Sequence, residues 1–116
     1  MKFILLLLLL ATSVQASDVW FTLGNIGEKT FQMRKNSLEI GKTDGMKYAS
    51  VIGRVTENSS AEPYLWMVFE KDCIQGYGTL YTKTLQGNLI NEVSFTYNGA
   101  TSLISRGICE AALNDG

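Results

Sequence analysis

The chain contains no histidine. That absence removes more chemistry than any other feature. A Cys-His nucleophile pair cannot be built, and neither can a Ser-His-Asp triad. Cysteine is scarce too: Cys73 and Cys109 are the only two. Two sulfurs without an imidazole make a poor zinc site. There is no basic excess, with 10 Lys and Arg against 11 Asp and Glu in 116 residues. Nothing therefore draws the chain to nucleic acid or to an anionic membrane surface. Beyond the first sixteen residues no apolar run is long enough to span a bilayer. Neither a cofactor nor a metal is expected.

What the sequence does have begins at its start. "MKFILLLLLLATSVQA" carries one lysine, an apolar core from Phe3 to Ala11, and small residues Val14 and Ala16 around Gln15. That is the layout of a secretory signal peptide over residues 1–16, with cleavage expected after Ala16. No cysteine follows the apolar core, so no bacterial lipid anchor is expected there. Residues 17–116 then form one small domain. Without Lys2 that domain carries nine basic and eleven acidic residues, a net charge near −2. Its apolar content is that of a globular domain rather than a disordered one.

Exported chains meet oxidising conditions, and two cysteines offer a single pairing. A Cys73–Cys109 disulfide is expected rather than a reactive thiol. In the chain-entropy model a loop of this size stabilises the fold by about 4 kcal/mol.

Turn residues cut the domain into short segments. "GNIGE", "KTDG", "ENSSAEP" and "LQGN" separate runs rich in β-branched and aromatic residues, so those runs read as strands. Asp44-Gly45 and Gly87-Asn88 suit hairpins that need positive φ. In "KTFQMR", Phe31 and Met33 point one way while Thr30, Gln32 and Arg34 point the other. In "LINEVSFTY", Leu89, Asn91, Val93, Phe95 and Tyr97 share a face, the pattern of a half-buried antiparallel strand. "YLWMVF" is apolar on both faces and reads as a central strand. Its Tyr64 and Trp66, if they face outward, are candidate binding residues. The alternation also places Tyr77 and Tyr81 on one face with Cys73, beneath the C-terminal segment, as packing residues with a secondary binding role.

The tail changes period. Ile104, Ile108, Ala111 and Ala112 recur at helical spacing, with Thr101 or Ser102 as the N-cap. Gly107 inside that helix costs about 1 kcal/mol relative to Ala, which suggests close packing on the sheet or a kink. The expected fold class is α+β. It is an antiparallel meander of about six strands, with one C-terminal helix on one face and one disulfide.

Several motifs point nowhere. "GKTDG" ends like a phosphate-binding loop, but Asn36 stands where the first glycine belongs and no helix follows. "GYG" lacks the third glycine and the βαβ context of a dinucleotide site, so its glycines relieve crowding or bend a strand. Glu70 and Asp72 lie two apart on one face of a strand, and a small hydrolase would use such a pair. Solvated strand-end charges explain them more simply. Asn58 heads an "NSS" sequon in a loop, taken as unmodified.

Taken in order, Trp20, "TFQMRKNSLEIG", "YASVIGRV", the strand ending in Cys73, "YGTLYTKTLQGNLINEVSF" and "GATSLISRGIC" resemble the surface-adhesin E family of Gram-negative bacteria. The resemblance covers nearly all of residues 17–116. It implies a small antiparallel sheet with a C-terminal helix, a matching Cys73–Cys109 disulfide, and export to the periplasm or surface. It also implies binding, in the best-known case adhesion to host proteins. The chain lacks the family's lipid-anchoring cysteine, so a periplasmic or secreted protein is expected. The function expected is non-enzymatic recognition of a protein or peptide, through the sheet face or an exposed edge strand. The alternative is a periplasmic inhibitor or immunity protein that neutralises a toxin or hydrolase.

Overall fold

The computed structural model describes residues 19–99 and 102–115. The expected signal segment and the alternative cap Thr101 lie outside them. Seven strands form one antiparallel sheet: β1 Trp20–Ile26, β2 Lys29–Arg34, β3 Glu39–Thr43, β4 Met46–Glu57, β5 Ser60–Phe69, β6 Tyr77–Lys83 and β7 Leu89–Thr96. A short helix, α1, spans Glu70–Gln75, and a longer one, α2, spans Leu103–Asp115. The fold is α+β, as its pattern implied.

The sheet order is β1-β2-β4-β5-β6-β7, with β3 paired to β4. β4 is twelve residues long, and β5 lines one edge of it from Tyr48 to Glu57. β2 and β3 share the other edge, β2 along Gly53–Thr56 and β3 along Met46–Ser50. They behave as one interrupted strand, which is why the chain reads as a six-strand meander. Ser37 bridges the interruption. Its hydroxyl accepts the Ile52 N–H at 3.0 Å and donates to the Arg34 carbonyl at 2.8 Å. A side chain thus replaces the missing ladder bond.

Two hairpins turn on positive-φ pairs. Asp44 and Gly45 (φ 51° and 79°) join β3 to β4, as their sequence requires. Asn58 and Ser59 (φ 51° and 70°) join β4 to β5. The loop expected over "ENSSAEP" is therefore only two residues long, and Ser60 to Pro63 extend β5. Pro63 lies beyond Leu65↔Lys83, where the β6 ladder ends, so its missing N–H costs no bond there. At the β6–β7 turn Gly87 has positive φ and Asn88 does not.

Two bulges shift the alternation. Thr22 pairs with Gln32 and Gly24 with Phe31, leaving Leu23 as the extra residue of β1. Thr82 pairs with Asn91 and Lys83 with Leu89, leaving Ile90 as the extra residue of β7. The second bulge corrects the expected face of β7. Leu89 turns with Lys83 to the side away from α2, while Asn91, Val93 and Phe95 keep the α2 side.

The core lies between α2 and the sheet. Ala49 and Val51 of β4, Trp66 and Val68 of β5, Leu80 of β6 and Phe95 of β7 meet Ile108 and Cys109 of α2. Ile104 and Ala112 pack at the margin of that cluster. Ser102 stands directly before α2, and its carbonyl accepts the Arg106 N–H at 3.0 Å. Gly107 is there for close packing: a Cβ on it would overlap the Leu23 side chain. The bulge at Leu23 and the glycine at 107 together let α2 settle on β1.

The disulfide joins Cys73 and Cys109, with Cα atoms 5.4 Å apart. It does not tie α2 to a strand end, as the sequence suggested. Cys73 belongs to α1, so the bond joins two helices. β5 stops at Phe69, and six residues of helix carry Cys73 over the sheet before Gly76 (φ 88°) ends it.

Candidate ligand-binding surfaces

The four aromatic candidates fall in three places. Trp66 is 1 % exposed and belongs to the core, so the outward orientation considered for it is corrected. Tyr64 shares its face, two residues closer to the β4–β5 turn, and the two rings stack at 6.1 Å. Because α2 begins only at Leu103, it leaves Tyr64 half covered. A cleft of about 200 Å³ remains there, with Tyr64, Thr82, Ile90, Asn91 and Ile104 around a floor that includes Trp66. The Tyr64 hydroxyl donates to Glu62 Oε2 at 3.1 Å. Burial, with the bond to Glu62 and its charge, pushes the Tyr64 phenol above its ordinary value.

Tyr77 and Tyr81 do not lie beneath α2. Leu80 takes the core side of β6, so its odd-numbered neighbours face away. Cys73 is in a helix and shares no strand face with them. Tyr77 is 58 % exposed and is no packing residue. Tyr81 meets Phe69 edge-on, with centroids 5.7 Å apart. They share the open face of the sheet with Leu65, Met67 and Ile52. On the same face near β1, the Arg54 guanidinium sits 4.2 Å over the Trp20 ring. Its Nε donates to Gln32 Oε1 at 2.6 Å, and Gln32 Nε2 donates to Thr22 Oγ1 at 3.1 Å.

Glu70 and Asp72 are not paired on a strand face, and neither is simply a solvated strand-end charge. Both are in α1, where residues two apart point in different directions. Glu70 pairs with Lys47 at 3.5 Å near the surface. Asp72 is buried, accepting the Thr79 N–H at 3.3 Å and the Gln75 amide at 3.1 Å. Gly78 makes room for it, since a Cβ there would overlap the carboxyl group. That is the crowding the "GYG" glycines were expected to relieve.

β7 ends the sheet, and its outer edge has no strand partner among the described residues. The Tyr97 N–H donates inward to the Gly76 carbonyl at 2.7 Å. By the alternation of an antiparallel ladder, the backbone groups of Glu92, Ser94 and Thr96 then point outward. Ile90 and Val93 are each about half exposed along this edge, at 49 % and 50 %. Glu92 is the only charged residue in the strand.

A second surface was not anticipated. Two adjoining hollows of about 410 and 360 Å³ run between α2 and the β1–β2 edge. They share Phe21, Met33 and Ala111. Phe21 and Met33 are cross-strand partners, which their alternation could have shown. Their meeting with Ala111 depends on where α2 lands, and periodicity carries no such signal.

Among the described residues no helix is long and apolar enough to cross a membrane. No protein-family model, curated protein or solved structure shows significant similarity to the chain.

Proposed function

We propose that the protein is an exported, non-enzymatic binding protein of the surface-adhesin E type, which receives an extended segment of a partner protein as an added strand on β7. The open edge of β7 carries this reading. Outward N–H and C=O groups supply affinity that is independent of sequence, and flanking side-chain sites supply selectivity. The cleft at Tyr64 and Ile90 lies on the α2 side of that edge and suits an apolar side chain of the incoming strand. β7 has neither lysine nor proline, residues that commonly protect edges from pairing. The disulfide and the signal-like start support export.

Selection of random peptides displayed on phage tests the reading, with the Ser94→Pro variant as counter-target. The Ser94 N–H points outward, so proline there removes a donor from the edge and none from the sheet. Peptides that bind the wild type and not the variant are expected. Peptides that bind both equally, or no enrichment at all, would contradict it. Enrichment of one toxin or hydrolase segment would favour the inhibitor or immunity role, which uses the same edge.

A further inference from the structure

We infer that Arg34 and Arg54, on the open face of the sheet beside Trp20, bind a soluble phosphate monoester as its dianion. The site spans β1, β2 and β4. It is separate from β7, which lies at the opposite edge of the sheet from β1.

Three observations carry the inference. The first is order. The Arg54 guanidinium is fixed by the protein alone. It lies 4.2 Å over the Trp20 ring, and its Nε donates to Gln32 Oε1 at 2.6 Å. Gln32 is held in turn, its Nε2 donating to Thr22 Oγ1 at 3.1 Å. A guanidinium stacked on a ring and bonded through Nε keeps its terminal N–H fork for an oxyanion, and little rotamer freedom is left to lose. The second is convergence. Trp20 pairs with Arg34, and Gln32 with Arg54. Arg34 is therefore the diagonal neighbour of Arg54 on the same face, roughly 7–8 Å away and within reach of a second long side chain. The third is charge. The acidic residues that the strands turn to this face are Glu39, opposite Ser50, and Glu92, opposite Tyr81. Among the described residues the ion pairs are Lys47–Glu70 and Lys71–Asp72, so neither arginine is paired. Two neighbouring cations thus stand without a counter-charge in a chain of net charge −1. The tetrahedral oxygens of a phosphate dianion can meet both forks at once, whereas a monoanion leaves one charge over. The chain has no basic excess to hold it on an anionic membrane, which favours a small soluble ester over a lipid headgroup.

Titration of the purified, disulfide-bonded protein with methyl phosphate tests this by indole N–H NMR. Ionic strength is held constant, at about pH 7.5, above the second phosphate pKa of about 6. The chain has two tryptophans. Trp20 stands at the site, and Trp66, buried on the opposite face, is the internal reference. A saturable shift of Trp20, with Trp66 still, is expected. Methyl sulfate and acetate, both monoanions, should bind about five- to tenfold more weakly. Arg34→Gln should cost methyl phosphate a similar factor. So should Arg54→Lys, which keeps the charge but loses the planar fork and the bond to Gln32. Lys83→Gln, on the same face opposite Leu65, should change little. Ser94→Pro should leave methyl phosphate binding intact, which keeps this site's outcome distinct from that of the β7 edge. A silent Trp20, equal binding of all three anions, or an equal Trp20 shift in sodium chloride would overturn the inference. Recruitment to phosphatidic acid vesicles without a response to methyl phosphate would overturn it too, by placing the ester in a membrane. The anion comparison uses the wild-type protein and decides the matter even if a variant does not fold.

Discussion

The Trp66 indole presses against Gly53 across β4 and β5, in the space that any side chain at residue 53 would occupy. The glycine lets the largest core side chain lie close to the sheet, and the Gln32 carbonyl closes the same space from β2. Gly53→Ala should therefore destabilise by about 1–3 kcal/mol through overpacking. Urea unfolding measures this as a lower midpoint at unchanged slope. A midpoint equal to that of the wild type would mean the indole has room to move.

Asp72 supplies a second test in the neighbouring layer. Its buried carboxylate holds the start of β6 through the Thr79 N–H and holds the Gln75 amide. Asp72→Ala should cost about 1–3 kcal/mol, because the half-buried Thr79 donor loses its acceptor. Asp72→Asn, which keeps one acceptor oxygen, should cost less. If the two variants were equally stable to the wild type, the carboxylate would have no role in seating α1.

The disulfide closes a separation of 36 residues between α1 and α2. Cys73→Ala with Cys109→Ala should lose about 4 kcal/mol in the chain-entropy model. Intact mass before and after reduction reports the bond, and thermal unfolding reports its contribution. Loss of α2 helicity before the sheet melts is expected, since the bond is what fixes α1 to α2.

The Tyr64 phenol gives a pH signature. Its folded-state value is raised, so the folded state favours the neutral phenol. The associated stability is fully present below the ordinary tyrosine value, about 10, and is lost as pH rises through the higher folded value. Tyrosine ring-carbon NMR against pH follows Tyr64 directly. Glu62→Gln should lower its midpoint by removing the nearby negative charge and leaving only a neutral amide oxygen to accept the bond. A Tyr64 midpoint insensitive to Glu62 would contradict the contact.

Much of the architecture was legible because it rests on period and count. Two cysteines allow one bond, and Ile104, Ile108, Ala111 and Ala112 repeat as only a helix does. The faces were harder to read. An extra residue at Ile90 reverses Leu89, and alternation cannot register an insertion that leaves both neighbours in a strand. α1 was hidden for a related reason: Glu70, Asp72 and Ile74 alternate with Lys71, Cys73 and Gln75 much as a fraying strand would. Trp66 sat in a run apolar on both faces, where the sequence alone could not choose between core and surface. Gly53, opposite the adjoining Tyr64 in register, makes that choice physically by vacating the core side of β4. The groove at Phe21 was invisible because it forms between elements far apart in the chain.

Amide exchange along β7, measured with a peptide selected on the wild-type protein, bears most directly on the proposed edge pairing. The Glu92 and Ser94 amides should gain protection on binding, with Val93 and Phe95 little changed because they already face β6. Binding that left Glu92 and Ser94 exchanging as in the free protein would contradict strand addition at this edge.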